Sequence, residues 1–160
     1  MIGNDVVDLK LAKTESNWKR NGYINKIFTD VEQNFILKSY DADQTVWILW
    51  TRKEAVYKIL IQQGYKKGFY PKKIECLDEQ ISAGKVQFNS IIYFTNTTIS
   101  NNCVHSVAVV NEMDLQKIRC LFWDENCFII DGIPFYKTKD IFQNISKSHH
   151  GRYQKLVQIS

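Results

Sequence analysis

The chain has 160 residues, of which 44% are hydrophobic, 24% charged and 13% aromatic, a balance that supports one packed core and excludes collagen-like repetition and wholesale disorder. Net charge is +4, from 21 basic and 17 acidic residues. The longest clearly apolar run, Val46 to Trp50, falls far short of the ~20 residues that cross a bilayer, so no membrane contact is expected. Asp5 and Asp8 stand where a secretory leader carries cations, and a cytoplasmic location is therefore expected.

In chain order, Ile2 with Val6, Val7 and Leu9 reads as a strand carrying carboxylates near its end, and Gly3 reads as a residue that permits a bend. Thr29-Asp30-Val31-Glu32 has the form of a capping box and opens a helix reaching about Tyr40. A second helix is expected from Asp43 or Gln44 to about Gln63, stopped by Gly64. On it Trp47, Trp50 or Thr51, Glu54 and Lys58 share one side at three- and four-residue spacing. Seven cations lie between Arg52 and Lys73 against the single acid Glu54, which predicts a basic surface suited to a phosphorylated or acidic partner.

Beyond Pro71 the pattern becomes β-branched and alternating. Strands are expected at 73–77, 85–88, 91–95, 104–110 and 118–123. A hairpin is expected between Leu121–Trp123 and Cys127–Ile130, and a polar bend from Ser146 to Gly151 precedes a last strand, Arg152 to Ile159. Helices in the first half and strands in the second predict an α+β fold, a single compact domain over residues 1–160 with an antiparallel sheet packed against helices. The four cysteines lack zinc-site spacing and read as buried thiols.

Neither a Gly-rich dinucleotide loop, a Walker phosphate loop nor a serine nucleophile elbow is present. Carboxylates beside cations do stand out: Asp5 and Asp8, then Arg52-Lys53-Glu54 with Lys58 one turn on. That combination suits magnesium-assisted phosphate chemistry, with hard oxygen ligands for the ion and a lysine for the charge on a leaving phosphate.

Ile2-Gly3-Asn4-Asp5-Val6-Val7-Asp8-Leu9 and Trp50-Thr51-Arg52-Lys53-Glu54-Ala55-Val56-Tyr57-Lys58 together resemble the two signatures of 4′-phosphopantetheinyl transferases, Gly-x-Asp and Trp/Phe-x-x-Lys-Glu-Ala-x-x-Lys. Lys26 to Glu32 resembles the family's segment before that helix, and Ser146 to Tyr153 resembles its Ser-His-Ser-Gly-Arg-Trp element, although here that element comes last. The resemblance implies transfer of the phosphopantetheine arm of coenzyme A to a serine of an acyl carrier protein. It implies Mg2+ held by Asp5 and Glu54, with Glu54 accepting the serine proton and Lys58 contacting the diphosphate. Lys53, Ser148 and His149 are expected at the coenzyme, with His105 competing with His149 for that place. Asp8 is expected at most behind the metal ligands, because residues three apart in a strand face opposite ways. A homo-oligomer, a trimer in the small synthases, is a further implication. The alternatives are a non-catalytic coenzyme A or carrier-protein binding module and a basic RNA-associated domain, although no nucleic acid partner is expected.

Overall fold

The computed structural model describes residues 1–139 and 141–160. Strand β1, Ile2–Asp8, runs into a short helix, α1, Leu9–Glu15, whose first amides are capped by the Asp8 carboxylate. Helix α2, Tyr23–Ile27, is followed by α3, Asp30–Lys38, where Thr29 and Glu32 form both halves of the capping box. The long helix α4, Ala42–Gln62, spans about 31 Å and is capped by Asp41. It ends before Gly64, whose φ of +86° turns the chain as few other residues would allow.

Strands β2, Ile74–Cys76, β3, Ala83–Phe88, β4, Ile91–Ser100, and β5, Cys103–Val109, complete an antiparallel sheet in the order β1-β5-β4-β3-β2. Asn101 and Asn102 both take positive φ in the β4–β5 turn, the twist that a tight hairpin requires. This sheet packs around α4, and Val7, Ala55, Val56, Ile59, Leu60, Tyr93 and Val104 meet in the main core.

A second antiparallel sheet is built from β6, Ile118–Cys120, β7, Cys127–Ile130, β8, Ile133–Thr138, β9, Ile141–His150, and β10, Tyr153–Ile159, in the order β6-β10-β9-β8-β7. Its β9 and β10 pack against β1. The expected α+β class and antiparallel sheet are both present. Two local expectations are corrected. The hairpin is β7–β8, turned by Asp131 and Gly132 at φ of +51° and +80°, and Leu121–Trp123 is not part of it. Ser146–His150 is the end of strand β9, so the turn shrinks to Gly151-Arg152. Of the cysteines, Cys76, Cys103 and Cys127 are buried and Cys120 is exposed.

Candidate active site

Gly3 is set by crowding rather than by bending. A β-carbon built on it would lie 1.8 Å from the carbonyl oxygen of Ala55, so β1 and the middle of α4 touch backbone to backbone. Asp5, two residues on, shares that face of β1, and Glu54 precedes the contacted Ala55. One turn further along α4, the Lys58 ammonium lies 3.4 Å from Asp5 Oδ1 and donates to the carbonyls of Asn4 at 2.6 Å and Lys147 at 3.2 Å. The structure thus brings Asp5, Glu54 and Lys58 to one place, and small residues at positions 3 and 55 are what permit the approach.

Burial pushes the Asp5 carboxyl above its ordinary value, opposed by the Lys58 charge and by the hydrogen bond from Ser148. Burial, then the neighbouring Asp5 charge, drives Glu54 up to about 7, with Lys58 pulling the other way. Two partly desolvated carboxylates, one of which disfavours the other's ionisation, with no hydrogen bond to Glu54 among the described residues, are a donor pair that a hard cation relieves. Among the described residues no group of three or more His, Cys, Asp or Glu side chains is arranged to hold a metal ion. Two carboxylates suffice for Mg2+, which retains water and takes further oxygens from phosphates. The residues present therefore fit that ion.

The other expected residues separate. Lys53 borders the groove that opens at Glu54, but its ammonium is already engaged. It is buried, its ammonium 2.7 Å from Glu32 and donating to the carbonyls of Pro71 and Ile74, so no bond is left to offer a phosphate. Arg52 is buried as well, donating to Thr97 and to backbone carbonyls of the 80–83 segment. The basic surface expected over 52–73 consequently shrinks to Lys66, Lys67, Lys72 and Lys73, with Lys58 in the site. Ser148 reaches Asp5 rather than an open cavity, donating to its Oδ1 at 2.8 Å. His149, its neighbour on β9, is exposed and faces away from Ser148. Asp8 lies apart from Asp5, capping α1 and pairing with Arg152 at 2.8 Å. That contact holds its carboxyl well below the usual range.

His105 sits on β5 with Nε2 3.1 Å from the Asn4 side-chain amide, which donates to it. Burial, aided by the charges of Lys155 and Lys58, depresses its pKa from 6.5 to about 4. The unfolded chain therefore binds a proton between those values that the folded chain refuses. The resulting stability is complete above pH 6.5 and declines as pH falls toward 4, by about 3 kcal/mol in all. Raised carboxyl pKa values at Glu54 and Asp5 act in the opposite sense over the same window, so the His105 contribution is read as a difference. The stability difference between the unaltered protein and a His105→Gln variant, from urea titrations, is expected to move against the unaltered protein by about 3 kcal/mol between pH 7 and pH 4.

Two grooves flank the cluster. One, of about 210 Å³, runs beside Lys58 between α4 and the β7–β8 turn and is lined by Tyr57, Ile61, Lys67, Ile133 and Pro134. The other, of about 320 Å³, opens at Glu54 among Trp50, Tyr57, Phe69 and Tyr70. The sequence reading named Ser148 but missed the strand that presents it: Ser146, Ser148 and His150 alternate along one face of β9, a period-two signal hidden by treating the segment as a bend.

A family model described as 4′-phosphopantetheinyl transferase superfamily matches residues 1–110, which hold Asp5, Glu54 and Lys58. The chain belongs to that superfamily. Among solved structures, this 4′-phosphopantetheinyl transferase superfamily member is similar to the holo-(acyl-carrier-protein) synthase of Thermotoga maritima at 13% identity and a TM-score of 0.53, covering 78% of each chain. It is also similar to the Neisseria meningitidis enzyme of that name at 17% identity and a TM-score of 0.49, covering 69% of this chain and 97% of that one. The Thermotoga match supports the shared fold. The comparison with curated proteins finds no match.

Proposed function

We propose that the protein transfers the 4′-phosphopantetheine arm of coenzyme A to a serine of an apo acyl carrier protein, as a synthase of the holo-acyl-carrier-protein type. The observation that carries this reading is the meeting of Asp5 from β1 with Glu54 and Lys58 from α4, the Lys58 ammonium 3.4 Å from Asp5 Oδ1. Asp5 and Glu54 would hold Mg2+, which, when bound, lends positive charge to the diphosphate of coenzyme A. Glu54 accepts the proton of the attacking serine. The serine oxygen bonds to the phosphorus that carries pantetheine, and the bond from that phosphorus to the bridging oxygen breaks, releasing adenosine 3′,5′-bisphosphate. Lys58, steadied by two backbone carbonyls, offsets charge on that leaving group. The groove beside Lys58, walled by Lys67 and by Ile133 and Pro134, suits a ligand with both anionic and apolar parts. Lys66, Lys67, Lys72 and Lys73 are exposed and favour an acidic carrier protein.

Incubation with coenzyme A, Mg2+ and an apo carrier protein is expected to add the mass of the arm to the carrier. No added mass on any of several carrier proteins defeats the reading. Glu54→Gln and Lys58→Ala are each expected to lower kcat/KM by about 10²–10³. EDTA is expected to abolish transfer, and added Mg2+ to restore it. A binding module of the same fold would hold coenzyme A and show none of these losses.

A further inference from the structure

The edge of β1 that faces away from β5 carries the amides of Asn4, Val6 and Asp8. Each finds a side chain of β9 in place of a backbone carbonyl. Asn4 N–H donates to Ser146 Oγ at 2.8 Å, Val6 N–H to Ser148 Oγ at 3.0 Å and Asp8 N–H to His150 Nδ1 at 2.9 Å. The spacing of two matches on both strands, so side chains from one sheet cover the exposed edge of the other. One rung does more. The Ser148 hydroxyl accepts from Val6 and donates its own proton to Asp5 Oδ1 at 2.8 Å. Its direction is thereby determined, since the lone pair taken by Val6 turns the O–H toward the carboxylate. Lys58 reaches the same oxygen, so Oδ1 is held from two sides and Asp5 Oδ2 is left without a side-chain donor among the described residues.

We propose that Ser148 is a positioning residue for Asp5, fixing the twist of its carboxylate so that the second oxygen stays available to a divalent cation. The inference rests on the proposed function in taking Asp5 as an ion ligand. It gives the region beyond the family match at residues 1–110 a part in the site, supplied by the same chain. Ser146 is the internal control: it makes the same kind of bond to β1, from the rung before, and among the described residues the hydroxyl that donates to Asp5 is that of Ser148.

The test titrates Mn2+ into the full chain and reads free ion by electron paramagnetic resonance, with thermal unfolding of each variant alongside. Ser148→Ala is expected to weaken Mn2+ binding about tenfold, the usual size for removing a hydrogen-bond partner of a metal ligand. Ser148→Thr, which keeps the hydroxyl, is expected to restore most of it. Ser146→Ala is expected to lower the unfolding temperature by as much as Ser148→Ala and to leave Mn2+ affinity unchanged. In transfer assays Ser148→Ala is expected to raise the Mg2+ concentration needed for half-maximal rate while kcat recovers at saturating Mg2+. Mn2+ affinity that is unaffected by Ser148→Ala, or equally reduced by Ser146→Ala, overturns the proposal alone. Failure of the unaltered protein to bind Mn2+ overturns the ion-ligand reading and this proposal with it.

Discussion

Gly3→Ala is expected to destabilise the protein by about 3 kcal/mol, the upper end for overpacking, and to abolish transfer in whatever fraction still folds. The added methyl would sit 1.8 Å from the Ala55 carbonyl oxygen and 2.8 Å from its carbon, both backbone atoms held in the middle of α4. A flexible side chain could swing aside, but here the helix itself must retreat from β1. Glu54 and Lys58 flank that contact, so the retreat carries both away from Asp5. Gly64→Ala serves as the comparison. That residue has open space around it and a φ of +86°, so only the conformational penalty of about 1 kcal/mol is expected, with activity kept. Denaturant midpoints and carrier-protein mass shifts for the two variants check the contrast. Equal, small effects would show that β1 and α4 do not meet so closely.

Lys53→Met is expected to destabilise by about 3–5 kcal/mol, because it strands the Glu32 carboxylate in the interior. Glu32 is wholly buried, 2.7 Å from the lysine, and also accepts the amides of Thr29 and Cys76. The pair ties the start of α3 to β2 and to α4, which makes it a joint of the fold. Glu32→Gln combined with Lys53→Met is expected to recover part of the loss, since glutamine removes the charge and keeps an acceptor oxygen for one of the two amides. Urea titrations of the two single variants and the double one measure the coupling. Should Lys53→Met instead keep full stability while raising the KM for coenzyme A, the lysine would be a phosphate ligand after all.

The reach of the sequence reading follows from how local each signal is. The capping box at Thr29 and Glu32 and the stop at Gly64 involve neighbours a few residues apart, and both helix boundaries lie within a few residues of expectation. The hairpin was misplaced because Asp124-Glu125-Asn126 carries turn residues as Asp131-Gly132 does, whereas only the latter pair adopts the positive φ values of a tight hairpin. Ser146 to His150 looked like a bend because its face is polar, and it is polar because it meets the backbone amides of β1 and not a hydrophobic core. Arg52 and Lys53 looked like surface cations for a related reason. They meet carbonyls, a hydroxyl and a carboxylate from segments 18 to 45 residues away, which no local pattern reveals.

By itself the sequence determined the family, the strand β1, the helices α3 and α4, the strands β2 to β5, and the identity of Asp5, Glu54 and Lys58 as candidates, because short motifs encode backbone preference and chemical type directly. Tertiary structure alone decided which of the neighbouring polar residues serve the site. Lys53 turns inward to Glu32, Asp8 turns to Arg152, and Ser148 arrives from 143 residues away to hold Asp5. The reason is physical: a side chain's type is written at its own position, while its partner, burial and direction depend on where distant strands place their donors and acceptors.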